Sequence, residues 1–216
     1  MKKYFVLVCA AMLATVASAQ ITWNAKLGGG FSSCTTDGSA DLKSHFVGKV
    51  GVGIEYPVTP NLSLMPSLEV AMKGAKSTIT EFGSTYSWKS EEELNLFYLQ
   101  IPVLVAYRIN LNDDWNLTVK AGPYFGYAVS GELEEDYSSS GMGSANGKHT
   151  YDIFSSSDMD GDEAQRFDAG VDVGVDLEYH RFVVGLEYER GFLNFSPGSS
   201  DKIYNQAFYL TVGYKF

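Results

Sequence analysis

The sequence predicts an all-β fold: an eight-stranded, antiparallel, up-and-down β-barrel that crosses a membrane. Three observations predict it. The last ten residues place Phe208, Leu210, Val212, Tyr214 and Phe216 on one side of a strand, and Ala207, Tyr209, Thr211, Gly213 and Lys215 on the other. Successive strand side chains point to opposite faces, so one face is apolar and the other small or polar. Seven more runs of this kind precede it, and the connections between runs alternate long and short. Finally, the chain after its first residues has no stretch of about 20 apolar residues, so if it crosses a membrane it must do so as a closed barrel.

Residues 1–19 read as a cleaved secretory signal peptide: Lys2 and Lys3, an apolar core over residues 4–16, then Ala17-Ser18-Ala19. Residues 20–216 then form the barrel domain. Cleavage removes Cys9 and leaves Cys34 as the sole cysteine, so no intramolecular disulfide forms. Cys34 reads as a loop residue. The formal charge of −10 becomes −12 without the two lysines, which argues against nucleic acid as a partner.

The runs follow in order. Residues 22–32 send Trp23, Ala25, Leu27 and Phe31 one way, and Lys26, Gly28 and Gly30 the other. Residues 45–56 set Phe46, Val50, Val52, Ile54 and Tyr56 against Lys49 and Glu55, and Pro57 opens a tight connection. Residues 62–77 alternate Leu62, Leu64, Leu68, Val70 and Met72 with Ser63, Ser67, Glu69 and Lys73. Residues 94–109 set Phe97, Leu99, Ile101, Val103, Val105 and Tyr107 against Tyr98, Gln100, Pro102 and Arg108. Pro102 has no N–H for the ladder, which predicts a bulge or twist there.

Residues 115–130 alternate Trp115, Leu117, Val119, Ala121, Phe125, Tyr127 and Val129 with Thr118, Lys120, Tyr124 and Ser130. Residues 166–179 oppose Val171, Val173, Val175 and Leu177 to Asp168, Asp172, Asp176 and Glu178. After the turn at His180-Arg181, residues 182–193 set Phe182, Val184, Leu186 and Tyr188 against Gly185, Glu187 and Glu189. The closing strand completes the set. Long connections fall at residues 33–44, 78–93, 131–165 and 194–205. Long loops on one side and tight turns on the other mark an outer-membrane barrel with periplasmic termini.

The charges separate two readings. Lys26, Lys49, Glu55, Glu69, Lys73, Arg108, Lys120, Asp168, Asp172, Asp176, Glu178, Glu187, Glu189 and Lys215 all share the polar side. A secreted soluble lipid-binding barrel would wear them on its surface, whereas a membrane barrel encloses them in its lumen. Alternation permits both. Aromatics near strand ends on the apolar side (Trp23, Tyr107, Trp115, Tyr179, Tyr188 and Phe216 among them) favour the membrane, where such rings form interfacial girdles.

Four segments carry a family resemblance: Tyr98-Leu99-Gln100-Ile101-Pro102-Val103-Leu104, Ala121-Gly122-Pro123-Tyr124-Phe125-Gly126-Tyr127, Phe167-Asp168-Ala169-Gly170-Val171, and the closing strand. They resemble the PorT-like outer-membrane β-barrel ("porin family") domain of Gram-negative bacteria, across essentially the whole mature chain. The resemblance implies a small barrel in the cell outer membrane, surrounded by its lipid. For most members it implies no known biochemical activity. One branch is linked to secretion and gliding machinery, so an accessory of a secretion apparatus is the rival role. The terminal Phe216, with Tyr214 and Val212, resembles the signal read by the barrel assembly machinery.

Candidate sites are few. Eight strands leave a lumen that side chains just fill, so the charges read as a plug rather than a permeation path. Residues 131–165 are strongly acidic. Asp158, Asp160, Asp162 and Glu163 have spacings that could hold Ca²⁺ but lack a full binding loop, and the plain reading is a solvated acidic loop. Residues 77–90 keep some alternation, and read either as a projecting β-ribbon, whose edge could take a protein partner by strand addition, or as a loop. Among His45, His149 and His180 none sits with a nucleophile, since Ser44 and His45 point to opposite faces. The sequence therefore predicts no enzyme and no cofactor, and a structural or interaction role carried by the extracellular loops.

Overall fold

The computed structural model describes residues 21–36, 43–82, 87–140, 145–155, 164–195 and 202–216. The signal-peptide reading and the candidate ligands Asp158, Asp160, Asp162 and Glu163 lie outside them. The strands are β1 (Thr22–Thr36), β2 (His45–Pro57), β3 (Leu62–Phe82), β4 (Ser87–Asn110), β5 (Trp115–Ser140), β6 (Ala145–Asp152), β7 (Phe167–Tyr179), β8 (Phe182–Gly191) and β9 (Ile203–Lys215).

Eight of the nine close a ring. Each pairs antiparallel with its neighbour in sequence, β5 pairs past β6 with β7, and β9 returns to β1. The closing seam runs in unbroken register from Asn24 opposite Lys215 to Thr36 opposite Ile203. Closure satisfies every strand on both sides, as hydrocarbon demands.

The apolar side faces outward. Leu27, midway along β1, is 60% exposed, and Val50, Val105, Val119, Val175, Leu186 and Leu210 are exposed with it. A soluble carrier with its apolar side inward is thereby overturned. Two aromatic rows ring this surface in register. Near the tight turns, Tyr214, Phe182, Tyr179 and Trp115 lie side by side across four strands. Near the other end, Phe46, Phe31, Phe208 and Tyr188 do the same. From Trp23 to Phe31 is about 26 Å along the strand, or about 20 Å along the membrane normal at the usual tilt, close to the apolar band of such barrels.

Three sequence expectations need correction. The irregularity in β4 falls at Phe97/Tyr98, where β5 carries an extra residue, and not at Pro102. Pro102 instead lies where the β3–β4 ladder lapses between the Pro66–Val103 and Glu69–Gln100 pairs, with no change of register. Cys34 is not a loop residue: it lies in β1, buried, with its thiol 3.7 Å from Asn205 Oδ1.

Residues 131–165 are not a plain loop either. β3, β4 and β5 run on beyond Met72, Phe97 and Ser130, and β6 pairs with the extension of β5. A four-stranded sheet results, reaching about 33 Å along β4 beyond Phe97.

An arginine at the middle of the lipid face tests this orientation. Leu27→Arg is expected to cost about 2–4 kcal/mol of folding free energy in vesicles, read by urea unfolding. A change near zero would mean that the Leu27 face is wet.

Candidate functional site: the lumen and the projecting sheet

Inward positions of eight strands bring the polar side chains together. All fourteen charged residues on the polar side of the sequence point into the barrel; Lys26 and Arg108 are partly exposed and the other twelve are buried. They form three tiers. At the tight-turn end, Glu55 accepts from Lys215 at 2.8 Å, Arg108 at 2.6 Å and Ser63 at 3.0 Å. Glu178 accepts from the same Lys215 at 2.6 Å and from Thr118 at 2.9 Å.

In the middle tier Glu187 meets Lys26 at 2.9 Å and Lys120 at 2.8 Å, and also contacts Lys49. Lys120 reaches Asp176 at 2.6 Å, and Lys26 reaches Glu69 at 2.8 Å. In the outer tier Lys73 binds Glu189 at 2.8 Å and lies 4.1 Å from the centre of the Tyr124 ring. Tyr124 donates to Asp168 at 2.9 Å, and Gln100 donates to Glu189 at 2.9 Å. Parity places Tyr98, Gln100, Tyr124 and Tyr209 on this side. Asn205, which donates to the Tyr98 hydroxyl at 3.2 Å, lies in β9 and not in the connection that the sequence predicts over residues 194–205.

Six cations face eight carboxylates here. Each cation touches at least two carboxylates, which repays part of the desolvation cost. Asp172 is the exception. It is fully buried, opposite Glu189 across β7–β8, and neither of its oxygens has a hydrogen-bond partner. Near the tight-turn end a cavity of about 40 Å³, lined by Lys26, Lys120, Asp176 and Lys215 among others, has room for a few waters.

The other mouth is covered by apolar groups. Ile153, Phe154 and Phe195 pack on Leu96, Tyr98 and Ala128, with Arg166 stacked 4.2 Å from the Phe154 ring centre. Gly131 is required beneath them, since a Cβ there would lie 2.5 Å from the Phe154 ring. These are the residues that sequence reasoning missed, because Ile153, Phe154 and Phe195 are isolated apolar residues with no period.

The projecting sheet has two unlike faces. Residues directly opposite in register share a face. One carries Glu91, Glu93, Glu132, Glu134, Asp136 and Asp152 with Lys76, Lys89 and Lys148. Lys89 beside Glu91 and Lys76 beside Glu93 hold those carboxyls below their ordinary range. Glu134 holds Lys148 above its own. The other face carries Trp88, Leu94, Leu133, Tyr137, His149 and Tyr151, with Glu92 and Glu135 among them. His149 lies between Tyr137 and Tyr151, at 5.9 Å and 6.1 Å between ring centres. His45 meets Glu93 at 3.4 Å and His180 meets Asp114 at 3.4 Å, so neither is paired with a nucleophile. Among the described residues no cluster of three ligating side chains is placed to hold a metal.

A family model described as "Outer membrane protein beta-barrel domain" matches residues 17–196. The chain belongs to that family. As an outer membrane β-barrel its place is the cell outer membrane, embedded in its lipid. Solved structures of similar fold include Ail, the attachment invasion locus protein of Yersinia pestis, at 13% identity and a TM-score of 0.41 over 91% of this chain and 99% of that one. Neisserial surface protein A is similar at 12% identity and a TM-score of 0.42, over 91% and 99%. OprG of Pseudomonas aeruginosa is similar at 9% identity and a TM-score of 0.40, over 89% and 95%. No curated protein matches the chain.

The lumen's charge imbalance makes a paired prediction for this outer membrane barrel. Asp172→Asn replaces an unpartnered buried carboxyl without breaking an ion pair, and is expected to leave the urea midpoint in vesicles unchanged or raise it. Glu187→Gln takes one carboxylate from each of three lysines and is expected to cost several kcal/mol, on the order of 3–5 for a broken buried pair. The reverse ranking would mean that Asp172, not Glu187, holds the lumen together.

Proposed function

We propose that the barrel is an anchor with a closed lumen, and that its working part is the sheet projecting from the long-loop side. The observation that carries this is the extent of β3, β4 and β5 beyond the membrane band, together with β6, which among the described residues pairs only with β5. An anchor needs no such extension: β7 has 13 residues and β8 has 10, whereas β4 has 24 and β5 has 26. In the usual orientation of these barrels the tight turns face the periplasm and the sheet faces the outside. β6 presents a strand edge there, and such an edge binds extended segments by strand addition. The role is one of interaction and not of enzymatic catalysis. The motifs at residues 98–104 and 121–127 fit a PorT-like branch of the family, and Val212, Tyr214 and Phe216 fit recognition by the barrel assembly machinery.

The ion pairs and the apolar cover fill the bore, so no solute path is part of this reading. Two measurements test it. Purified protein in planar bilayers is expected to give no discrete, ion-selective openings; regular openings would refute the closed lumen. Amine crosslinking on intact cells is expected to join Lys89 and Lys148 to a protein partner. Crosslinks confined to periplasmic proteins would refute the surface role.

A further inference from the structure

The projecting sheet holds an arrangement that its own stability does not explain. Glu91 lies opposite Asp136, Glu92 opposite Glu135, and Glu93 opposite Glu134, three consecutive like-charge pairs between β4 and β5. Directly opposed like charges destabilise a sheet. Lys76, Lys89 and Lys148 offset part of this at 2.7, 2.7 and 2.8 Å from Glu93, Glu91 and Glu134. One face still has six carboxylates against four lysines, counting Lys43, which bridges to Lys76, and the opposite face adds Glu92 and Glu135.

The sheet's outer strand is bare on its far side: among the described residues no strand pairs with β6 other than β5. Its hydrogen-bonding phase follows from the register. Ile153 N donates to Gly131 O at 3.2 Å, directly across from it and one step beyond the Glu132–Asp152 pair. Bonded pairs alternate along an antiparallel ladder, so Ala145, Gly147, His149 and Tyr151 bond to β5. The N–H and C=O groups of Asn146, Lys148 and Thr150 therefore point away from the sheet, into the open edge.

A strand added at that edge would place alternate side chains on the two faces. On one side they would lie beside Lys148 and Asp152 of β6 and, two strand spacings or about 10 Å away, about a Debye length from Glu132, Glu134 and Asp136 of β5. On the other they would continue the row of Tyr137, His149 and Tyr151. We propose that β6 captures an extended cationic segment of another protein, one whose lysines or arginines alternate with apolar or aromatic residues. This rests on the strand-capture reading above and adds the chemistry of the partner. A second copy of the chain fits poorly, because it would bring the same surplus of carboxylates.

The test uses the full-length barrel in a zwitterionic detergent and three labelled peptides of one length, alternating Val with Lys, Ser or Glu. Fluorescence anisotropy is expected to rank them Lys, Ser, Glu, with the Lys peptide about tenfold tighter than the Ser peptide. Thr150→Pro removes one outward N–H without touching a β5–β6 bond, and is expected to abolish binding. Methylating alternate peptide nitrogens tests the same bonds with the protein unaltered, and is expected to do likewise. Equal binding of all three peptides, still lost on N-methylation, would overturn the cationic partner and leave strand capture standing. Lys-peptide binding undiminished by N-methylation, or no binding at all, would overturn strand capture itself. A dimer of the protein alone that Thr150→Pro dissolves would replace the partner with a second copy.

Discussion

The structure depends on the seam between β1 and β9. Every other pairing joins strands adjacent in the chain or across a single excursion, and would form in an open sheet. Only the return of β9 to β1 removes the two edges. In hydrocarbon an open edge leaves a row of unpaired N–H and C=O groups, each costing several kcal/mol. Closure turns one side of every strand toward lipid and the other toward a lumen, and the sorting of side chains follows. The alternation of the final strand serves both ends of this arrangement: its odd members meet Lys26, Gly28 and Ser32 inside the barrel, its even members lie on the greasy surface.

A lumen so made must solve a second problem, because it buries ions. The solution is sharing. Glu187 serves three lysines and Lys215 links Glu55 to Glu178, so few groups depend on a single partner. The network knits all eight strands of the ring, β1, β2, β3, β4, β5, β7, β8 and β9, through the centre, at right angles to the backbone ladders. Asp172 stands outside it. Above the ions, Ile153, Phe154 and Phe195 form a small apolar core that no single strand could supply.

What could be read in the sequence was whatever had a period of two. The facing of β2, β7 and β8, the inward charges and the outward aromatics all follow from parity, and tight turns follow from Pro57 and His180-Arg181. The rest failed for a physical reason. Beyond the membrane both faces of a strand are wet, so residues 132–140 need no apolar alternation, and Glu132-Leu133-Glu134-Glu135-Asp136 reads as a solvated loop. The structure shows β5 running through it. β6 has the same disguise: Ala145 to Asp152 contains Lys148, His149 and one tyrosine. The residues covering the mouth carry no spacing signal, since they meet only in three dimensions. Asn205 was misplaced because β9 begins earlier than its apolar pattern does.

The central claim is that apolar residues face acyl chains while ions are enclosed. A carbene precursor dissolved in the hydrocarbon of vesicles holding the unaltered protein, activated by light and mapped by tandem mass spectrometry, tests it most directly. Adducts are expected on Leu27, Val50, Val173, Val175, Leu186 and Leu210, and not on Lys49, Asp172, Asp176 or Glu187. Adducts on the charged set, with the valines and leucines unmarked, would contradict the account.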